Sequence, residues 1–399
     1  VGWAADKGVF PGYALYLFAG NPVKPYRNAN PIVGQKTMEQ KPFSENLGFR
    51  IILVSILIGL GIFFIIYFKD LLKPFVMAVM VWYLIKTIYN YIGKIKVMGR
   101  QLPRWLKGAL SLAIIFGSVQ ATINLIITNL SAIVANFSTY QATFDRFLIG
   151  LGESLGVVNI TDQLQEQLNK LDLQGFLAGT LSSLSTTVGT IVIVVIYIIF
   201  LLLEEVAFSK KIDAIFPDRK KRQRIQEVLN EIYESTNKYI TLKTGISILT
   251  GALSYVVLRL FGVDYAFLWA FLIFIFNYIP YIGSLIATLL PSIFAIVQFG
   301  SMWSFLWVFI SVEIIQLIVG NYVEPKVMGK SLNLSPLVVV VALSFWGYVW
   351  DLLGMFLSVP ITSIMLIVLA QFPATRNIAI LLTENGNIEN ILIKKEEGP

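Results

Sequence analysis

The feature that most constrains the fold of this chain is a series of apolar stretches long enough to cross a lipid bilayer. A membrane-spanning helix needs about 20 mostly apolar residues. Five such stretches precede Gly262: Phe49 to Phe68, Lys73 to Ile92, Gly108 to Ile127, Val188 to Leu203 and Thr244 to Phe261. Only 14% of the residues are charged, whereas a typical soluble domain carries about 25%. The sequence therefore predicts an all-α, polytopic bundle of transmembrane helices.

The complete lack of cysteine and histidine narrows the chemistry. Disulfides, thiolate nucleophiles and thiolate metal sites are excluded, and so are the commonest general base and the commonest transition-metal ligand. No GxxxxGK[ST] motif for the phosphates of ATP occurs in the sequence. We therefore expect neither an enzyme nor an ATP-driven pump, and no cofactor and no resident metal ion.

The charges of the loops predict an orientation in the membrane. The loop at residues 94–107 has five basic residues and no acid, and residues 204–243 hold nine basic residues. Residues 130–180 are acid-rich by contrast. Because Lys and Arg collect in cytoplasmic loops, we expect the two basic loops inside, the acidic loop outside, and both chain termini in the cytoplasm. The Lys and Arg of the cytoplasmic loops account for the net charge of +7. We therefore expect no nucleic-acid partner.

The composition also predicts a domain organisation. Residues 1–37 lack a clear period and are expected to be an extension outside the membrane domain, with a non-native origin as one option. The membrane domain is expected at residues 38–382, followed by a cytoplasmic tail at 383–399. Within it, residues 130–180 predict amphipathic helices on the outer side. Residues 208–240 predict a basic cytoplasmic helix that contacts anionic lipid headgroups.

Beyond Gly262 the apolar stretches are interrupted. Residues 266–299 contain a polar turn, Asn277 to Ser284, in their middle. Residues 337–370 would form one helix of about 51 Å, which exceeds the roughly 30 Å hydrocarbon core and must fold back. We predict broken or re-entrant helical hairpins here and about eight spans in total. Broken helices leave backbone groups for a substrate, an ion or water to satisfy, and corresponding breaks are typical of transport sites.

The polar, glycine and proline positions of this region form the candidate transport pathway. They are Asn277, Pro280, Gly283, Ser284, Glu313, Asn321, Glu324, Pro325, Gly354 and Pro360. A carboxylate inside a span, such as Glu313, predicts a proton carrier or cation ligand. The alternatives are pairing with a Lys or Arg, or a position at a subunit interface.

Asn321 and Glu324 are three residues apart, which places them on one face of a helix that Pro325 is expected to end. That set could hold a transient sodium ion or bind a polar solute. The alternative is a helix end that only organises the next loop, with Lys326 neutralising Glu324. For the turn at Asn277, the alternative is a tight hairpin without a ligand.

Three segments carry a resemblance to a known family. They are NYIPYIGSLIATLLP (277–291), VGNYVEPKVMGKSLNLSPLVVV (319–340) and FWGYVWDLLGMFLSVP (345–360). These segments resemble the autoinducer-2 exporter family of bacterial membrane transporters, and a weaker similarity extends over residues 42–382. The chain departs from the family at Asp351, where members usually have a small residue, often Gly.

The resemblance implies a transporter of about eight spans in the bacterial cytoplasmic (inner) membrane, surrounded by lipid. It also implies a homo-oligomer, with a pentamer as one option. Some members are described as exporters of the quorum-sensing signal autoinducer-2, and others as sodium (or lithium)/proton antiporters. Asn277, Ser284 and Asn321 would suit a hydroxylated solute, whereas antiport would use carboxylates: Glu313, Glu324 and Asp351.

Three functions follow as hypotheses. The first is export of a small polar solute, for which autoinducer-2 is one candidate, either coupled to protons or downhill. The second is exchange of a monovalent cation for protons. The third is a membrane scaffold without transport, whose outer helices and basic inner helix bind partners.

Overall fold

The computed structural model describes residues 47–94, 96–97, 100–155, 175, 179, 188–329, 333–389 and 391–392. Most of the outer loop beyond residue 155, the expected extension at 1–37 and the end of the tail lie outside the described residues. The chain divides into two units, Val1–Leu60 and Gly61–Pro399. The contacts below all belong to the second unit.

The described residues confirm an all-α architecture. The helices are α1 (Leu47–Tyr67), α2 (Lys69–Lys94), α3 (Arg104–Ala135), α4 (Phe137–Leu155), α5 (Val188–Ile215), α6 (Arg219–Leu260), α7 (Ala266–Phe276), α8 (Ile282–Phe299), α9 (Met302–Ile318), α10 (Glu324–Met328), α11 (Pro336–Gln371) and α12 (Arg376–Leu382). A π-helical turn, Val319–Val323, joins α9 to α10. A small antiparallel ribbon, β1 (Lys96–Val97) with β2 (Arg100–Gln101), joins α2 to α3.

Six helical segments are long and apolar enough to cross a membrane. They are Lys69–Lys94, Arg104–Ala135, Arg219–Leu260, Ile282–Phe299, Met302–Met328 and Pro336–Gln371. Shorter apolar helices occur at Ser55–Tyr67 and Ala266–Phe276. Length and composition therefore agree with the predicted polytopic bundle.

The basic segment 208–240 belongs to two long helices and is not a separate element. Its first residues complete α5, and the remainder continues into the predicted fifth span as the unbroken 42-residue helix α6. The helix begins where the sequence predicts, because the Asp218 carboxylate accepts a hydrogen bond from the Lys220 backbone N–H at 2.9 Å. The basic half and the apolar half of α6 therefore belong to one continuous helix.

The inward face of α6 is unusually polar. Lys243, Ser247, Thr250 and Ser254 follow one another at helical spacing, and all four are buried. At Gly251, an added Cβ would lie 3.0 Å from the carbonyl oxygen of Ala270, so α7 packs directly on the α6 backbone. The polar side chains of α6 consequently face protein and not lipid.

Both predicted fold-backs are present as helical hairpins. The first hairpin consists of α7 and α8, and a Cβ at Gly283 would overlap the carbonyl oxygen of Phe276. The second hairpin is α11, whose two arms join at a kink at Trp350 and Asp351. A Cβ at Gly354 would overlap the carbonyl oxygen of Trp346. In each hairpin a glycine of the second arm lies against a backbone carbonyl of the first arm.

The tip of the second hairpin has an unfavourable backbone at Asp351. Its φ of 55° and ψ of −139° lie in a region that suits glycine. The Asp351 carboxylate bonds the Lys73 ammonium at 2.7 Å. Because the Asp351 side chain is 74% exposed, this ion pair adds little to stability.

Helix α4, for which the sequence predicts an outer position, packs on the first hairpin, as an amphipathic helix should. The Tyr140 ring contacts Phe294 of α8, with centroids 5.3 Å apart, and its hydroxyl donates to the Asp264 carboxylate at 3.1 Å. Burial, the Tyr265 hydroxyl and the Asp264 carboxylate together raise the pKa of the Tyr140 phenol above its ordinary value. Tyr140 therefore stays a neutral donor at physiological pH.

Replacing Gly354 by Ala should destabilise the protein by about 1–3 kcal/mol, because the new methyl group overpacks the hairpin against Trp346. Thermal unfolding of the purified protein in detergent measures the change. Gly117→Ala is the matched control, since nothing lies within 4 Å of a Cβ there and alanine favours the helix. Equal effects of the two substitutions would contradict the close packing of the second hairpin.

Candidate functional site

The first hairpin, the second hairpin and α6 meet at one place. The Tyr278 ring stacks on Phe356, with centroids 4.3 Å apart and planes 24° apart. The Tyr278 hydroxyl shares a 2.6 Å hydrogen bond with the Thr244 hydroxyl. The neighbouring Asn277 is buried, and its amide nitrogen donates to the Ser247 hydroxyl at 3.0 Å. Two consecutive residues of the first tip are thus bound to one turn of α6.

A buried ion pair completes this place. The Lys243 ammonium lies 2.5 Å from a carboxylate oxygen of Glu324, and the two side chains are 6% and 25% exposed. Lys243 directly precedes Thr244, so the pair borders the hydrogen bonds of the first tip. We name the whole cluster the hairpin junction; its members are Lys243, Thr244, Ser247, Asn277, Tyr278, Glu324 and Phe356.

The π-helical turn positions Glu324 and separates it from Asn321. Residues three apart share a face of an α-helix, but the wider turn at Val319–Val323 changes that register. Asn321 is exposed, whereas Glu324 turns inward to Lys243. The structure therefore does not bring Asn321 and Glu324 together as the expected cation site, and Glu324 pairs with Lys243 and not with Lys326.

Pro325 does not end the preceding helix. The backbone stays right-handed helical from Ile318 through the π-turn to Glu324, and α10 continues to Met328. The expectation from the sequence that Pro325 ends the preceding helix is corrected by this geometry. Functional sites often contain such π-turns, and here the turn redirects the chain so that Glu324 reaches α6.

Glu313 forms a second polar position, on α9. Its carboxylate accepts a 3.1 Å hydrogen bond from the hydroxyl of Thr288 on α8. Within the described part of the chain Glu313 has no basic partner. One turn further along α9, the Gln316 amide nitrogen is buried without a hydrogen-bond partner in the same described part. Glu313 thus keeps an unneutralised carboxylate beside a polar neighbour.

The remaining candidates at the first tip shape its backbone. The Ser284 hydroxyl donates to the Tyr281 carbonyl oxygen at 2.8 Å and is used within the tip. The Pro280 carbonyl accepts from the Ile282 N–H at 2.7 Å. These hydrogen bonds, together with the close approach of Gly283 to the Phe276 carbonyl oxygen, fix the backbone of the tip that carries Asn277 and Tyr278. Ser284 is therefore placed to support the junction and not to line it.

In the second hairpin, Pro360 leaves one backbone carbonyl near the junction without its usual helical hydrogen bond. Proline lacks an N–H, so the carbonyl four residues earlier loses its usual helical donor. That residue is Phe356, whose ring stacks on Tyr278. Gly354 allows the two arms to cross just before this point.

Comparison with known proteins identifies the family. Residues 51–374 match the model of the AI-2E family transporters. The chain belongs to this family. The AI-2 transport protein TqsA of Escherichia coli (strain K12) is 28% identical over 347 residues, which cover 86% of this chain and 98% of TqsA. A putative transport protein of Haemophilus influenzae is 31% identical over 301 residues, or 73% of this chain and 84% of that protein.

A third relative has the same character. A putative transport protein of Borreliella burgdorferi is 27% identical over 344 residues, covering 85% of this chain and 91% of its own length. The predicted resemblance is confirmed, and this AI-2E family member is a membrane transport protein. Its relatives are bacterial, and its apolar helices indicate a protein of the inner membrane. Relatives named for transport are consistent with a protein that is not an enzyme.

Sequence reasoning missed the α6 half of the junction in this AI-2E family protein. Lys243 was counted among the basic loop residues because it precedes the apolar stretch. The signal that could have found it is its spacing to Ser247, Thr250 and Ser254, which share one helix face. Tyr278 lies within the predicted polar turn at Asn277 to Ser284 but is not among the candidate pathway residues.

The Lys243–Glu324 pair should show a strong energetic coupling. Lys243→Met or Glu324→Gln alone leaves one charge buried, and we expect a loss of about 3 kcal/mol for each, near the low end for buried pairs because Glu324 is a quarter exposed. The double mutant should lose much less than the sum. Thermal unfolding of all four proteins measures the coupling.

The exposed pair of Lys73 and Asp351 provides the matched control. Lys73→Met and Asp351→Asn should couple by less than about 1 kcal/mol. Additive effects at Lys243 and Glu324 would contradict a buried, mutually dependent pair.

Proposed function

We propose that this AI-2E family transporter exports a small polar solute that carries several hydroxyl groups, and that the solute passes at the hairpin junction. The observation that carries the proposal is the chemistry of the junction: the hydroxyl and amide groups of Thr244, Ser247, Asn277 and Tyr278 lie along the same stretch of α6 as a carboxylate that is paired with Lys243. A neutralised carboxylate has little charge left for a metal cation. The junction therefore suits a neutral, hydrogen-bonding solute.

Autoinducer-2 is the candidate solute, because the relative TqsA is named an AI-2 transport protein. Its hydroxyl groups could replace the Tyr278–Thr244 and Asn277–Ser247 bonds one for one. Such exchanges are inexpensive, since one neutral hydrogen bond contributes only about 1 kcal/mol net. A solute could thus separate the first tip from α6 and be released again.

Glu313 provides a route for proton coupling. Its carboxylate lacks a basic partner within the described residues and accepts a bond from Thr288 on the second arm of the first hairpin. Protonation would remove that charge and weaken the bond between α8 and α9. We place proton coupling at Glu313 and solute recognition at the junction.

Sodium (or lithium)/proton antiport is the second candidate, and the same observation favours it. An intramembrane carboxylate without a cationic partner is the group that a proton and a metal cation can exchange. In that mechanism Glu313, and not the Asn321 and Glu324 set, would bind the cation. For either function, we propose that the protein lies in the inner membrane with both termini in the cytoplasm. We also propose that it is a homo-oligomer, for which five subunits are one option.

Removing junction groups should slow solute export. Tyr278→Phe deletes one hydroxyl and keeps the ring stack on Phe356, and Asn277→Ala deletes the amide. We expect each to lower efflux of labelled autoinducer-2 from proteoliposomes about 5- to 10-fold, the effect of one lost hydrogen bond. Gln120→Ala is the control, since Gln120 bonds Asn124 on the exposed face of α3. Unchanged efflux in both junction variants would refute the assignment.

Glu313→Gln should separate the two candidates. In proteoliposomes with an internal pH dye, we expect that neither the wild type nor Glu313→Gln changes the internal pH after a sodium pulse. Solute efflux through Glu313→Gln should no longer respond to a pH gradient, whereas its downhill efflux should persist. A sodium-dependent pH change in the wild type that Glu313→Gln abolishes would instead establish antiport. Glu324→Gln serves as comparison, because that carboxylate is paired with Lys243.

A further inference from the structure

A polar cavity of about 600 Å³ lies between the end of α2 and the middle of α6. Its wall includes Asn90 and Lys94 from α2 and Asn237, Lys238 and Thr241 from α6. Thr241 and Lys243 are two positions apart, so their side chains leave the helix about 200° apart. Thr244 follows Thr241 by three positions and lies on a neighbouring face, so the cavity adjoins the hairpin junction around α6.

One polar group of the cavity wall lacks a hydrogen-bond partner. The Thr241 hydroxyl is buried and has no partner among the described residues. The Thr87 hydroxyl lies 3.0 Å from the Tyr83 carbonyl oxygen and 2.5 Å from the side-chain amide of Asn237, and its single proton goes to only one of them. Within the described part of the chain, neither Lys94 nor Lys238 forms an ion pair. No Asp or Glu belongs to the described wall.

A buried lysine lies directly behind this wall. Lys107 of α3 is 8% exposed, and its ammonium would be 3.5 Å from a Cβ added to Gly93, a wall residue. The nearest aromatic ring is Tyr89, with the ammonium 6.0 Å from its centroid. Across the residues that the structure describes, Lys107 has no carboxylate partner. A buried ammonium without a counter-charge is costly, and an anion in the cavity would remove that cost.

The acids near the cavity lie to one side of it. Glu231 and Glu234 line an adjoining cleft that shares Asn90, Asn237 and Lys238 with the cavity. Their negative charges repel an anion from that cleft, so an anion would lie at the end of the cavity that Lys94 and Thr241 form. Convergent ammonium, amide and hydroxyl donors are what the oxygens of a phosphate group require.

We propose that this cavity binds a phosphate-bearing anion, held by Lys94, Lys238 and Thr241, with the Lys107 ammonium behind Gly93 as a nearby positive charge. The cavity is larger than a phosphate group, so the ligand carries a further polar part. The phosphate comes either from a soluble phosphate compound or from the headgroup of an anionic phospholipid at the membrane surface. Because α6 also carries Lys243, Thr244 and Ser247, an occupied cavity stabilises the helix on which the junction is built.

Two arms of one experiment test the site with the purified full chain. In the first arm, inorganic phosphate is titrated into the protein in neutral detergent, against sodium chloride of equal ionic strength, and the melting temperature is followed. In the second arm, nanodiscs of phosphatidylglycerol are compared with nanodiscs of phosphatidylcholine. We expect a higher melting temperature in at least one arm. A response to phosphate identifies a soluble ligand, and a response to phosphatidylglycerol alone identifies a lipid headgroup.

The variants are chosen so that folding is not at issue. Lys238 is exposed and Thr241→Val preserves side-chain shape, so Lys238→Gln and Thr241→Val should fold normally. We expect each to weaken the response, raising the half-saturating phosphate or lipid concentration about tenfold. Lys210→Gln removes the same charge from an exposed lysine of α5 and should respond like the wild type. No response in either arm, or equal responses in all variants, overturns the proposal.

Discussion

The transport region depends on one packing constraint: in each hairpin, a helix must approach the backbone of its own preceding arm. Gly283 lies against the Phe276 carbonyl and Gly354 against the Trp346 carbonyl, where any Cβ would overlap the oxygen. This approach lets an apolar segment reverse its direction inside the bundle. It also lets the first tip carry polar groups inside the protein, since Asn277 and Tyr278 are buried there, whereas Asp351 of the second tip is exposed.

The polar face of α6 is the counterpart of these tips. Asn277 and Tyr278 are consecutive, so a single turn of α6 must offer two acceptors at matching height, and Thr244 and Ser247 do so at a spacing of three residues. The Lys243–Glu324 pair binds the segment after the π-turn to the same turn of α6. The first tip and the segment after the π-turn are thus both bonded to this turn of α6 by polar contacts, which exchange partners more easily than interlocked apolar side chains do.

The sequence predicts most of this architecture because its signals are local. Apolar length predicts the spans, and the excess length of residues 337–370 predicts the fold-back of α11. The π-turn has no local signal: Val, Gly and Asn at residues 319–323 are poor helix formers, which does not distinguish a wider turn from a helix end. The pairing of Lys243 could not be predicted, because its partner lies 81 residues away, and its spacing to Ser247, Thr250 and Ser254 indicates only a polar helix face. The roles of the ten candidate pathway residues stay predictions, although the structure does show which of them lie at the junction.

The separation of Glu313 from the junction bears on how a solute and a proton could be coupled. Glu313 and Thr288 join α9 to α8, and α8 is the second arm of the hairpin whose tip carries Asn277 and Tyr278. In the proposed mechanism, a change of charge at Glu313 would therefore act on the same hairpin that a solute would displace from α6. Coupling would then need no direct contact between proton and solute, because the first hairpin is bonded to α9 through Thr288 and to α6 through its tip. Glu324 is paired with Lys243 in this arrangement, whereas Glu313 has no basic partner within the described residues.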